Sequence, residues 1–175
     1  MRRSDLLQPL SRQHHIALVL AKTLRQWERA DPPPERAEQR EVAEAAYRFW
    51  EAELVPHFRA EEEGLLGRWQ RPGTDPLVTR VLQEHVGIHR VAQRLGRCLA
   101  AEDLEGAWEE TLRLGRCVSA HVRFEERSWL PELEAEMEAE LLAEAASGID
   151  HALDTATAEA LLPPRPDSER AGDRH

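Results

Sequence analysis

At 175 residues the chain is long enough for one domain with its own core, and its formal charge of −10 disfavours a nucleic-acid backbone or an anionic membrane surface as a partner. The longest uninterrupted apolar stretch, residues 16–21, falls far short of the roughly 20 residues a membrane span needs, and no apolar core resembling a signal peptide stands near the N-terminus. The expectation is a soluble, cytoplasmic protein, monomeric or homodimeric, in which Cys98 and Cys117, far apart and outside any CxxC pair, are reduced core thiols.

Strand signals are scarce, while Ala, Leu, Glu and Arg fill long stretches with apolar residues three and four apart, which predicts an all-α chain. A first helix is expected over 9–30, ended by Asp31, Pro32, Pro33 and Pro34. The second runs over 35–70, with Pro56 interrupting its backbone bonding just before His57, and ends in a break containing Pro72, Gly73 and Pro76. The third covers 76–100. After a softer break at 101–103, where Asp103 can cap the next helix, the fourth covers 104–129. Pro131 restarts a shorter helix to about residue 146, stopped by Ser147 and Gly148. Short connections between long helices predict an up-down-up-down antiparallel four-helix bundle with a short additional C-terminal helix. The domain is expected over 1–148, with 149–175 a partly disordered tail that is polar and proline-containing from Pro163 onward.

Six of the eight histidines, at 14, 15, 57, 85, 89 and 121, fall inside the four long helices, and each of those helices carries at least one. Any one of them taken alone is an ordinary surface or hydrogen-bonded core histidine. Their register says more. In the third helix Val78, Val81, Leu82, His85, Ile88, His89, Ala92, Leu95 and Leu99 form one apolar stripe that includes both histidines. In the fourth, Leu114, Cys117, Val118, His121 and Glu125 share a stripe, and in the second Ala46, Trp50, Leu54, His57 and Glu61 do the same. Two ionisable groups on each of three buried stripes are costly to desolvate without compensation, and a shared metal is the simplest compensation.

Residues four apart are neighbours on a helix, so His57 with Glu61, His85 with His89, and His121 with Glu125 can each present two ligands to a central site. On the first helix His14 shares a face with Leu7, Leu10, Ala17, Leu18, Ala21 and Leu24, whereas His15 points away and reads as a surface or outer residue. Glu126, about 140° around an ideal helix from His121, stays a runner-up to Glu125 that local unwinding would bring inward. Imidazole mixed with carboxylate suits iron, manganese or zinc. The HExxH motif of zinc proteases, the Glu-x-x-His motif of ferritin-like sites, a GxSxG elbow and a phosphate loop are all missing.

An internal echo joins the two halves. HFRAEE at 57–62 resembles HVRFEE at 121–126, and QHHIA at 13–17 loosely resembles EHVGI at 84–88. Approximate two-fold symmetry in a bundle would give a dinuclear site to which each half contributes an acid able to bridge.

Over roughly residues 5–135 these segments resemble the hemerythrin and HHE cation-binding family, with a histidine on the first helix, HxxxE on the second, histidines on the third and a histidine followed by an acid on the fourth. The resemblance implies two iron ions in a non-haem di-iron centre held by His14, His57, Glu61, His85, His89, His121 and Glu125, the two glutamates acting as bridges. A site with many imidazoles and few carboxylates is less anionic than a ferritin-like one, which favours reversible binding of O2 or NO for sensing, storage or delivery, or buffering of iron itself. The alternatives are a di-iron oxidoreductase of peroxidase or peroxide-decomposing type and a metal-free helical interaction module. No catalytic base or substrate pocket can be named from the sequence, so an enzyme is the less favoured reading.

Overall fold

Helix starts follow local chemistry. The computed structural model describes residues 7–69, 75–150 and 155–166, with backbone alone for 145–150 and 155–157. Helix α1 spans Gln8–Glu28 and α2 Arg36–Phe49, the latter opened by the Glu35 N–H donating to Glu38 Oε2 at 2.8 Å. A π turn, Trp50–Leu54, leads into α3, Val55–Arg59, and a second π segment, Ala60–Leu66, completes this rod. Helix α4, Pro76–Ala100, is capped by Asp75 Oδ1, which accepts from the N–H groups of Leu77 (2.7 Å) and Val78 (3.4 Å), while Pro76 occupies a first-turn position that needs no donor. Helix α5, Leu104–Phe124, is capped by Asp103, and a third π turn, Glu125–Trp129, passes into α6, Leu130–Glu136. Helices α7, Ala139–Asp150, and α8, Thr155–Ala160, come next, and no strand occurs among the described residues.

The interruption expected at Pro56 takes the form of a π turn, and Pro131 repeats the device. Each proline lacks an N–H and sits two residues after a π turn. The N–H just before it reaches back five residues, from Val55 to Trp50 O and from Leu130 to Glu125 O. Three expected boundaries differ. The second rod closes at Leu66 rather than 70. The single helix expected over 131–146 is two helices, because Met137 takes an extended backbone (φ −78°, ψ 132°) between α6 and α7. The stop expected at Ser147 and Gly148 does not occur, as α7 runs through both to Asp150.

Side-chain contacts run in opposite senses along neighbouring rods. His85 meets His121 while Arg94 pairs with Glu110 at 2.7 Å across α4 and α5, and Ser11 bonds Glu126 at 3.0 Å while Glu28 pairs with Arg116 between α1 and the α5 rod. The interior divides into two apolar layers. One contains Ala17, Leu20, Leu24, Phe49, Leu54, Phe58, Ile88, Leu95 and Val118; the other contains Leu7, Leu10, Leu65, Val81, Phe124, Trp129, Leu130 and Leu133. Along α1, α4 and α5 the flanking residues of His14, His85 and His121 belong to different layers, so the histidines form a polar stratum between them. Tyr47, the only tyrosine, packs in the larger layer, where a Cβ at Gly96 would come within 2.6 Å of its ring; the close approach of α2 to α4 requires glycine there.

The chain beyond 150 returns to the bundle in part. Ala158 is buried in the larger layer, and Trp27 Nε1–H donates to the Pro164 carbonyl at 2.7 Å, so residues 163–166, expected in a disordered tail, are held against α1. Residues 70–74, 151–154 and 167–175, with His151 and His175, lie outside the described residues. Among the described residues no helix is long and apolar enough to cross a membrane.

Leu95 is fully buried and Leu82 is 39% exposed. Replacing Leu95 with Ala should cost about 2–5 kcal/mol through lost transfer energy and a residual cavity, while Leu82→Ala should stay within about 0.5 kcal/mol. Urea unfolding of both variants checks this; equal losses would contradict the packing described.

Candidate metal centre

Six ionisable side chains converge in the polar stratum, all of them buried: His14 from α1, His57 from α3, Glu61 from the π segment after it, His85 from α4, His121 from α5 and Glu125 from the π turn at its end. Their ligand atoms form two four-membered groups, His14–His57–Glu61–Glu125 and Glu61–His85–His121–Glu125, each with all its atoms within 4.8 Å of one another. The two glutamates belong to both groups. Glu61 Oε1 lies 3.4 Å from the Nε2 atoms of His14 and His57, and its Oε2 lies 3.2 Å from His85 Nε2. Glu125 Oε2 lies 3.2 Å from His14 Nε2 and 3.3 Å from His121 Nε2, and its Oε1 lies 3.8 Å from His85 Nε2.

The outer nitrogen of every ring in the two groups is held by an acceptor. His14 Nδ1–H donates to Glu126 Oε1 (2.7 Å), His57 Nδ1–H to Gln13 Oε1 (2.8 Å), His85 Nδ1–H to Glu62 Oε1 (2.7 Å) and His121 Nδ1–H to Glu84 Oε2 (3.0 Å). Because carboxylate and amide oxygens only accept, these bonds fix a proton on Nδ1 and turn Nε2 of each ring to the centre, where its lone pair can coordinate whenever the ring is neutral. Six inward atoms, Nε2 of His57, His85 and His121, Oε2 of Glu61 and both oxygens of Glu125, are buried without any hydrogen-bond partner in the protein. Buried polar atoms are seldom left so. Lone pairs of imidazole and carboxylate converging from four sides suit a borderline cation, so the residues present fit a metal.

His89 is the one expected ligand that is not brought into either group. It lies one turn beyond His85 and is half-buried, and its Nδ1 accepts from Trp50 Nε1–H at 3.1 Å, which leaves its ring proton on Nε2. His15 is exposed. Glu126 does approach the site, through the π turn, as the holder of the His14 ring rather than as a member of a group. Sequence reasoning missed the holders Gln13, Glu62 and Glu84, and it missed Phe58, whose ring stacks on His85 at 4.1 Å and meets His121 edge-on at 5.4 Å. The echo contains a signal for them: Gln13 and Glu84 directly precede the first histidine of each half, and Glu62 and Glu126 directly follow its glutamate.

Burial lowers the pKa of a histidine, and at His57 it prevails, bringing the value to about 4. Burial also acts on His14 and His85, but carboxylates outweigh it: Glu125, Glu126 and Glu61 hold His14 well above its ordinary range, and Glu125 and Glu61 push His85 up to about 10. Glu61 and Glu125 stay below the usual carboxylate range despite their burial, Glu61 because of His57, His14 and His85, and Glu125 because of His121, His14 and His85 acting against its neighbour Glu61. Metal-free protein therefore carries protons on His14 and His85 as counter-ions to the two glutamates.

A helical bundle with such paired histidine and glutamate groups belongs to the class of cation-binding helical proteins. A scan of family models makes this specific: the hemerythrin HHE cation binding domain matches residues 5–133, and the chain belongs to that family. Comparison with curated proteins and with solved structures found no significant match.

Protonation links to stability in the metal-free state. Histidine in the unfolded chain titrates near about 6.5, so the contribution of His85 is complete below that pH and is lost as pH rises through about 10. His57 acts oppositely, favouring the folded form above about 6.5 and losing that contribution as pH falls toward about 4. Metal-free protein should therefore show a Tm that peaks near neutrality and declines toward pH 10, as followed by circular dichroism in chelator. A Tm that rises steadily to pH 10 would contradict the charge pairing.

Proposed function

We propose that this chain binds a pair of iron ions in the polar stratum and uses the pair to hold a diatomic ligand, O2 or NO, for sensing, storage or delivery, or to buffer iron itself. The observation that carries this reading is the set of six buried inward atoms with no partner in the protein, backed by four histidine rings whose outer nitrogens are tied and whose inner lone pairs face them. The family supplies the preference for iron, and the donor set agrees with it.

In this reading His14 and His57 would hold one ion and His85 and His121 the other, with Glu61 and Glu125, which belong to both groups, available to both. A bound iron pair supplies redox-active coordination positions for a small ligand. The protein supplies the rest. Glu126, Gln13, Glu62 and Glu84 orient the rings, and Phe58, packed against His57, His85 and His121, keeps the site dry. A cavity of about 10 Å³ beside His57, lined by Gln13, Ile16, Ala17, Phe49, Glu53, Leu54 and Ala158, is about the size of one water molecule. The inward Nε2 and carboxylate atoms that no hydrogen bond satisfies count against a metal-free interaction module, whose core histidines would need partners on both ring nitrogens.

Anaerobic loading with ferrous iron, metal counting per chain, and absorption spectra recorded as O2 or NO is added and removed test the proposal. The expected outcome is two iron ions per chain and a spectrum that changes reversibly with the gas. His121→Ala should lose at least half of the bound iron, and His15→Ala should keep it. Protein that takes up no iron under any loading condition would end the metal reading, while steady consumption of peroxide without a stable gas adduct would transfer the site to an oxidoreductase.

A further inference from the structure

The two groups match each other in every holder but one. Glu62 and Glu126 stand in equivalent places after Glu61 and Glu125 and hold His85 and His14. Gln13 and Glu84 stand in equivalent places before His14 and His85 and hold His57 and His121. Three of these acceptors are carboxylates; the fourth is the neutral amide of a glutamine that is 7% exposed, with its own Nε2 lacking a partner. We propose that this single difference makes the two metal positions unequal, so that the His85–His121 position fills first and more tightly, with Gln13 and Glu84 as the positioning residues that set the order. The inference rests on the metal pair proposed above.

The physical reason is the strength of the outer bond. A carboxylate accepting from Nδ1–H forms a charge-assisted bond that makes the Nε2 lone pair a better donor, whereas an amide oxygen forms an ordinary one. His85 and His121 both have carboxylate acceptors; of His14 and His57 only His14 does. Glu61 and Glu125 belong to both groups, so the difference between the positions lies with the ring holders. Arg80 offsets part of the Glu84 charge, since its Nε–H donates to Glu84 Oε1 at 2.7 Å. Its side chain is 54% exposed, however, and it engages the oxygen that His121 does not use, so it fixes Glu84 in place more than it weakens the bond to the ring. Repulsion between two neighbouring cations widens the gap, because the first ion takes the more basic position and the second enters against its charge.

Anaerobic calorimetric titration of the metal-free full-length protein with ferrous ion reads the order directly. Two separable steps are expected, the tighter one abolished by His121→Ala and retained by His57→Ala. Glu84→Gln should weaken the tight step about 10-fold, and Gln13→Glu should strengthen the weak one by about the same factor. The double variant Gln13→Glu/Glu84→Gln keeps charge and composition constant, and in it the order should invert, so that His57→Ala now removes the tight step. Circular dichroism confirms that each variant is folded, and should Gln13→Glu fail to fold alone, Glu84→Gln and the double variant decide. Two equal steps in the wild type, or an order unchanged by the exchange, would overturn the inference while leaving the metal pair intact. A protein that binds no ion at all would overturn the pair itself, and this inference with it.

Discussion

Four imidazole rings, each giving its Nδ1 proton to an acceptor on a neighbouring rod, set the terms for the rest of the molecule. The donation fixes each ring plane, turns the opposite nitrogen inward and ties neighbouring rods together at the level of the site: Glu126 to α1, Gln13 to α3, Glu62 to α4 and Glu84 to α5. None of the four bonds is made within a single helix. The site therefore exists only when all four rods are seated, and the histidines report on tertiary rather than local structure.

The interior is correspondingly stratified. Apolar layers on either side exclude water from a band rich in charge, and the band settles its electrostatics internally, with protonated rings facing ionised glutamates when no cation is present. Such a band lowers the net benefit of burial relative to an all-apolar core, because desolvated charges recover only part of what water gave them. Retention of so many of them in one layer is physically economical only if they serve a ligand.

Much of this was legible in the chain. The limits of the four long rods followed from prolines and capping aspartates, while the division of the segment after Pro131 into two helices and the helix at Thr155–Ala160 did not. The inward faces followed from three-and-four spacing, which separated His14 from His15 and brought His57, Glu61, His85, His121 and Glu125 into one reading. Periodicity shows which side of a helix a residue occupies, not how far along the axis the site lies. His89 shares the stripe of His85 but sits a turn away, level with the Trp50 indole, and no wheel distinguishes those cases. The outer acceptors were hidden for a different reason. Glu62, Glu84, Glu126 and Gln13 lie next to groove-facing residues and look like solvated neighbours until the opposing rod is placed. The return of residues 155–166 to Trp27 was equally hidden, since a stretch bounded by prolines carries no sign of where it docks.

The π segments show why the acids come in adjacent pairs. An i to i+5 turn contains one residue more than an α turn, so it behaves as a single-residue insertion absorbed inside the helix without displacing either end. Glu61 and Glu62, and likewise Glu125 and Glu126, can then address opposite sides of the same cavity from consecutive positions. Removing one residue from either segment would restore a regular helix and swing everything on its C-terminal side through roughly 100°, carrying Leu65 or Leu133 out of its apolar layer. When this chain is aligned with its relatives, a gap of one residue in these segments therefore marks the loss or gain of a widened turn, not a loop variation, and the residues after it need to be renumbered by face before any comparison of ligands is made.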